Sequence, residues 1–126
     1  MSDAADDPFA LALQIQRKCR EQGFDWSDPD ELWAKLDEEI AELREAATPE
    51  HRHEELGDVL FMVVNIARHL KLDPMTALAA TNAKFQRRYR HVEAALDALP
   101  PIGDPERLVQ MEALWQAAKA IEKKTC

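Results

Sequence analysis

Apolar residues recur at intervals of three and four along most of this chain, the spacing of one face of an α-helix. The first such run predicts a helix over 8–22, ending near Gly23 and followed by a turn, GFDWSD. Asp28 then reads as an N-cap, with Pro29 in the first helical position and Glu31 completing a capping box. The helix it opens continues to about Ala47, and Trp33, Leu36, Ile40, Leu43 and Ala47 define its expected buried face. Thr48 and Pro49 repeat the cap signal and open a third helix that ends near Leu72. Asp73 and Pro74 open a fourth, whose apolar line is Leu78, Phe85, Tyr89, Val92, Leu96 and Leu99. Pro100, Pro101 and Gly103 break the chain, and Asp104 and Pro105 start a last helix carrying Leu108, Met111, Trp115 and Ala118. Strand-like alternation is absent from the sequence. The expected fold is all-α, a bundle of about five helices forming one domain over 1–126, with antiparallel neighbours wherever the turns are short.

The third helix departs from this simple amphipathic pattern. Within EELGDVLFMVVNIARHL, residues 59–64 are apolar on every side of the turn, yet Glu55, Asp58 and Asn65 lie along one stripe. A helix apolar on nearly all sides must be covered on nearly all sides, which four amphipathic companions in so short a chain do not achieve. A homodimer or larger homo-oligomer is therefore expected to complete the bundle.

Composition narrows the partners. Of 126 residues, 24 are acidic and 16 basic, a net charge of -8, which opposes general attraction to nucleic acid or an anionic membrane. No apolar run reaches the 18 or so residues that a membrane span needs. The N-terminal MSDAADDPFA is acidic and has neither the basic region nor the apolar core of a secretion signal, so a cytoplasmic location is expected. Cys19 and Cys126 follow no metal-ligand spacing and are expected to remain reduced thiols.

The acids carry the candidate chemistry. In KLDEEIAELREA, Glu39 lies about 70° from the centre of the expected apolar stripe and Glu42 about 60° beyond it, so both can reach a neighbouring helix. Glu55 and Asp58 make a second pair three apart, and Asn65 can orient a ligand carboxylate or hydrogen-bond a substrate. Four converging carboxylates repel one another or take up protons unless a cation joins them. Oxygen-only ligands select hard ions such as Mg²⁺ or Mn²⁺, and the lack of histidine beside these acids counts against zinc or a di-iron site. Salt bridges to Lys or Arg, and the attraction of acids to a helix N-terminus, are the plain alternatives.

The same residues resemble a known family. EEIAE followed by twelve residues and ELGD is similar to the EExxE and ExxD signature of the MazG-type nucleoside triphosphate pyrophosphohydrolases. KCREQGFDW, KLDEEIAEL, NAKFQRRYRHVE and ALWQAAK also resemble, in order, stretches of the C-terminal catalytic half of two-domain MazG. The resemblance implies a dimeric, Mg²⁺-dependent enzyme that splits a nucleoside triphosphate into monophosphate and pyrophosphate. It implies Glu39, Glu42, Glu55 and Asp58 as metal ligands and Glu38 as a further member of the catalytic site; a carboxylate outside the metal's ligand set, such as Glu38, is chemically suited to accept a proton from water. Lys84 and Arg88 would meet phosphate oxygens, Trp115 and Lys119 would complete the nucleotide pocket, and Lys18, Trp26 and Lys35 would support it. Arg87 and Arg90 read instead as a solvated basic face pairing with the acidic second helix, and His69 as structural or interfacial. Two rivals stay open: a sibling all-α pyrophosphatase acting on dUTP, dCTP or phosphoribosyl-ATP, and a non-catalytic helical module that binds a nucleotide or protein.

Overall fold

A computed structural model describes residues 7–125 as five α-helices and one short 3-10 turn, with no strand among them. The helices are α1 (Pro8–Glu21), α2 (Pro29–Glu45), α3 (Pro49–His69), α4 (Pro74–Glu93) and α5 (Pro105–Thr125), with the 3-10 turn at Leu96–Ala98. Cys126 and most of the acidic N-terminal segment lie outside the described residues. No helix among the described residues is long and apolar enough to cross a membrane.

Every α-helix begins in the same way. Proline occupies the first position, where a missing N–H costs nothing, and the preceding Asp or Thr offers a side-chain oxygen to a backbone N–H one turn in. Asp7 accepts from Phe9 at 2.9 Å, Asp28 from Asp30 at 2.9 Å, and Thr48 from His51 at 3.1 Å. Asp73 accepts from Met75 at 3.0 Å and Asp104 from Glu106 at 2.9 Å. The helix ends differ from expectation in two places. α3 stops at His69 because Lys71 adopts a left-handed φ of 61°, with Lys71 N–H donating to Arg68 O and Leu72 N–H to Ala67 O. α4 stops at Glu93, short of the apolar line drawn through Leu96 and Leu99. There the chain tightens into 3-10 bonding, and Pro100 forces Leu99 to an extended ψ of 154°.

The chain divides into two compact units, one ending at Ala77 and the other beginning at Leu78. In the first, α2 runs antiparallel to α3, and α1 packs on α3. Leu32, Met62 and Ile66 form the buried core of the α2–α3 seam, with Trp26 and Leu36 packed against them. Farther along, Arg52 Nε donates to Ala46 O at 3.1 Å. The buried face of α2 is therefore Leu32, Leu36, Glu39, Leu43 and Ala46: of the predicted line Leu36 and Leu43 lie on it, whereas Trp33, Ile40 and Ala47 are exposed and the residue before each is buried in its place. The stripe is displaced by one residue because Glu39 fills a position that apolar pattern reading passes over.

A polar network ties the GFDW turn and α1 to the far end of α3. Arg68 grips Asp25 through two 2.8 Å bonds and donates to Asn65 Oδ1 at 2.9 Å and Gln16 Oε1 at 3.4 Å. His69 Nε2 lies 3.1 Å from Asp25 Oδ1, and Gln16 Nε2 donates to the Phe61 carbonyl at 3.0 Å. His69 thus has the structural role expected of it. Several members are nearly closed off from solvent, with Gln16 and Asn65 4% and 2% exposed.

The second unit is thinner. Val92 and Ala118 are buried, whereas Leu78, Phe85 and Leu108 of its apolar lines are exposed. Phe85 packs on Trp115 with ring centroids 4.7 Å apart and on Tyr89 at 6.0 Å. Arg107 Nη1 caps the chain before α5 by donating to Pro100 O at 2.7 Å.

The Arg68 bonds, acting first, hold the Asp25 carboxyl well below the usual carboxylate range, with His69 helping and burial opposing. A depressed folded-state pKa adds stability that is present above the unfolded value near 4 and drains away as pH falls below it. Asp25→Ala leaves Arg68 buried without its partner and should cost about 3–5 kcal/mol in urea unfolding at pH 7. The variant should also lose part of the acid sensitivity below about pH 4. Equal midpoints for variant and wild type at pH 7 would show that the network contributes nothing.

Candidate metal centre

Two turns of helix separate the core of the α2–α3 seam from its acids. Glu39 lies seven residues beyond Leu32 on α2, and Glu55 seven before Met62 on α3, so each continues a buried row for roughly 10 Å. Because the helices are antiparallel, the two continuations meet. Glu39, Glu42 and Glu55 bring one carboxylate oxygen each within 4.8 Å of one another. Glu39 is 8% exposed and Glu55 9%, while Glu42 is half-buried.

Each buried acid has one oxygen engaged and one without a partner. Glu39 Oε1 takes the Lys35 ammonium at 3.2 Å, and Glu55 Oε1 lies 3.1 Å from His51 Nε2. Glu39 Oε2 and Glu55 Oε2 are buried with no hydrogen-bond donor in reach. Leaving an ionised oxygen in this condition is costly unless a cation or proton meets it. The titration of the neighbours registers the strain. The Glu42 carboxyl is raised above its ordinary value, first by the charge of Glu39, then by burial and by its contacts with Glu55. Asp58 is raised as well, chiefly by burial and then by the charges of Glu39, Glu55 and Glu54. Three converging carboxylates, two of them with an orphaned buried oxygen, form a donor set that can hold a hard metal ion.

The remaining candidates take varied places. Asp58, one turn after Glu55, is exposed and stands outside the 4.8 Å group. Glu38 is exposed and binds Lys35 at 3.3 Å. Lys35 thereby joins two acids, and its ammonium is stabilised first by Glu39 and then by Glu38. Asn65, read from the sequence as a substrate or ligand-orienting group, gives its oxygen to Arg68 and its amide to Met62 Sδ at 3.6 Å. It therefore belongs to the Asp25 network, because about two turns of α3 separate it from Asp58 and nearly three from Glu55. Trp26 packs in the core, and Lys18 is exposed.

Histidine does stand beside the acids, contrary to the sequence reading. His51 reaches Glu55 across one turn, an i,i+4 contact written in HRHEE. Its imidazole meets the engaged oxygen of Glu55, which makes it an orienting partner for that carboxylate.

In the second unit Lys84 is exposed, and Lys119 and Trp115 are half-buried. The Arg88 guanidinium lies 5.8 Å from the centroid of the Trp115 ring, a cation–π distance. Arg87 and Arg88 both bind Glu122, each through Nε at 2.9 Å. The partner of Arg87 is thus an acid of α5, where sequence reading had assigned the acidic face of α2.

The nucleoside triphosphate pyrophosphohydrolase/pyrophosphatase MazG of Thermotoga maritima is 34% identical over 111 residues, and the nucleoside triphosphate pyrophosphohydrolase of Escherichia coli K12 is 38% identical over 116. Each alignment covers 88% of this chain and 44% of the relative, so the chain spans less than half the length of these curated relatives. YabN of Bacillus subtilis, an uncharacterized protein, is 39% identical over 79 residues, or 60% of this chain and 16% of its own. Residues 27–93, more than half of the chain and all of the acid cluster, match the MazG nucleotide pyrophosphohydrolase domain. The chain belongs to the MazG nucleotide pyrophosphohydrolase family.

Proposed function

We propose that the chain hydrolyses nucleoside triphosphates to nucleoside monophosphate and pyrophosphate, with Mg²⁺, or Mn²⁺ in its place, held by the acids of α2 and α3. The observation that carries the reading is the convergence of Glu39, Glu42 and Glu55 with two buried oxygens lacking any donor. Membership of the family and the printed activity of the Thermotoga maritima and Escherichia coli relatives support it.

In this reading Glu39, Glu42 and Glu55 bind the ion and Asp58 adds a fourth carboxylate, its pKa raised chiefly by burial and then by the acids around it. When bound, such an ion supplies positive charge against the triphosphate and the developing pyrophosphate. His51 and Lys35 hold the outer oxygens of Glu55 and Glu39, which fixes both carboxylates before substrate arrives. Glu38 gives Oε1 to Lys35 and keeps Oε2 to accept the proton of the attacking water. Lys84 and Arg88 bind phosphate oxygens, the arginine as a planar fork and the lysine as a point charge. Trp115 offers a ring to the base and Lys119 a further cation.

We also propose a homodimer. The outward faces of α1 and α3 expose Leu11, Ile15, Leu56, Leu60, Phe61 and Val63, each 38–47% accessible. A groove of about 190 Å³ opens among them beside Phe9 and Gly57. An apolar surface of this kind, continuous over two helices, marks an interaction site, and a second copy offers a matching face.

Four outcomes test these readings. With Mg²⁺ the protein should release pyrophosphate from a nucleoside triphosphate, and with a chelator it should release none. Orthophosphate as the only inorganic product would reject the assignment. Glu55→Gln should lower turnover by more than the roughly 100-fold that loss of an orienting partner costs. Calorimetric melting should show Mg²⁺ at about 100 times its Kd raising the wild-type Tm by on the order of 10 °C, and the variant far less. Sedimentation at micromolar concentration should give twice the chain mass, and Leu60→Lys with Phe61→Lys should give the monomer mass. A monomeric wild type would remove the proposed dimer.

A further inference from the structure

We propose that Glu122 is a positioning residue that holds the guanidinium of Arg88 in the orientation that receives substrate phosphate. The proposal rests on the phosphate role given to Arg88 above. Glu122 lies on α5, outside the motif segments that resemble the family, and no role falls to it from composition or spacing.

The geometry is specific. One carboxylate bridges two arginines adjacent in sequence, taking Arg87 Nε on Oε1 and Arg88 Nε on Oε2, both at 2.9 Å. Each guanidinium carries five N–H donors. Because both bonds use Nε, the paired Nη groups of each arginine keep their hydrogens for another acceptor. A carboxylate set to compete with phosphate would instead cover that Nη edge, the fork that grips a phosphate.

Arg88 is held from a second side. Its guanidinium lies 5.8 Å from the Trp115 ring centroid, and Trp115 is itself packed on Phe85 at 4.7 Å. The two restraints leave the Arg88 side chain 17% exposed, against 57% for Arg87. Arginine loses much rotamer freedom when a ligand immobilises it, and a side chain already fixed by a carboxylate and a ring has less to lose. Glu122 is suited to the task because it is an acceptor only when ionised, and the two arginines, Arg87 foremost, favour that form. An ordinary surface ion pair would predict almost no effect of removing it, so the two readings diverge in the test.

Pyrophosphate release from ATP with Mg²⁺ should be measured for wild type, Glu122→Gln, Glu122→Asp, Arg88→Ala and the double variant Arg88→Ala/Glu122→Gln. The expected result is a KM about tenfold higher in Glu122→Gln with kcat falling no more than about threefold. Glu122→Asp should recover most of the loss. In the Arg88→Ala background, Glu122→Gln should change KM by less than about twofold, since its effect passes through Arg88. An unchanged KM in Glu122→Gln, a lowered one showing that the carboxylate competes with phosphate, or equal effects in both backgrounds would overturn the proposal. Calorimetric binding of inorganic triphosphate to the same variants supplies a readout independent of turnover, and Kd should rise about tenfold in Glu122→Gln. Should wild type bind inorganic triphosphate yet hydrolyse no nucleotide, the proposed function fails, and the binding ratio alone decides the role of Glu122.

Discussion

Two carboxylates closed into the seam between α2 and α3 set the terms for the first unit. Glu39 and Glu55 occupy positions in line with Leu32 and Met62, where an apolar residue would pack without electrostatic cost. Each retains a buried oxygen without a donor, and the adjoining carboxyls are raised, Glu42 first by the charge of Glu39 and Asp58 first by burial. Such a seam is stable only because the rest of the unit holds the helices together by other means. The hydrophobic contacts of Leu32, Met62 and Ile66 lie two to three turns away, far enough to remain apolar and near enough to fix the helix spacing. The acids therefore gather in a gap whose width is set elsewhere, which is the preorganisation an ion site requires.

The other end of α3 solves the opposite problem. There a buried cation, Arg68, is paired through four hydrogen bonds, to the Asp25 carboxylate, Asn65 and Gln16. One helix thus carries an unsatisfied acidic end and a satisfied polar end, separated by a run of apolar residues. The paired end is architectural: it fastens the GFDW turn, and with it Trp26, against the core from which α2 departs. The unpaired end has the character of a site, since groups left unsatisfied at structural expense are those that a ligand satisfies.

Apolar residues left open on α1 and α3 bear on the same economy. Leu60, Phe61 and Val63 turn away from the α2 seam, so α3 uses one side for the acids and core and presents another outward. A helix apolar on all sides follows from serving two packing surfaces at once. In the second unit the aromatic and arginine cluster around Trp115 shows a different construction, in which side chains meet across α4 and α5 with few buried residues behind them.

Local chemistry was the legible part. Asp28, Thr48, Asp73 and Asp104 could be read as caps because cap and proline act within one turn, and the acids of EEIAE and ELGD could be paired by helical spacing alone. The phase of the α2 stripe could not, since a pattern built on apolar residues has no means of counting a buried glutamate. Nor could the partners of Arg87 and His69, because these contacts join residues 35 and 44 apart whose choice depends on which segments pack together. The sequence by itself therefore determined the five helices, their starts and the acids they display, all consequences of short-range geometry. Only the tertiary structure decided which acids converge and which polar groups are satisfied, because antiparallel packing, and not spacing along the chain, sets the distance between charges on different helices.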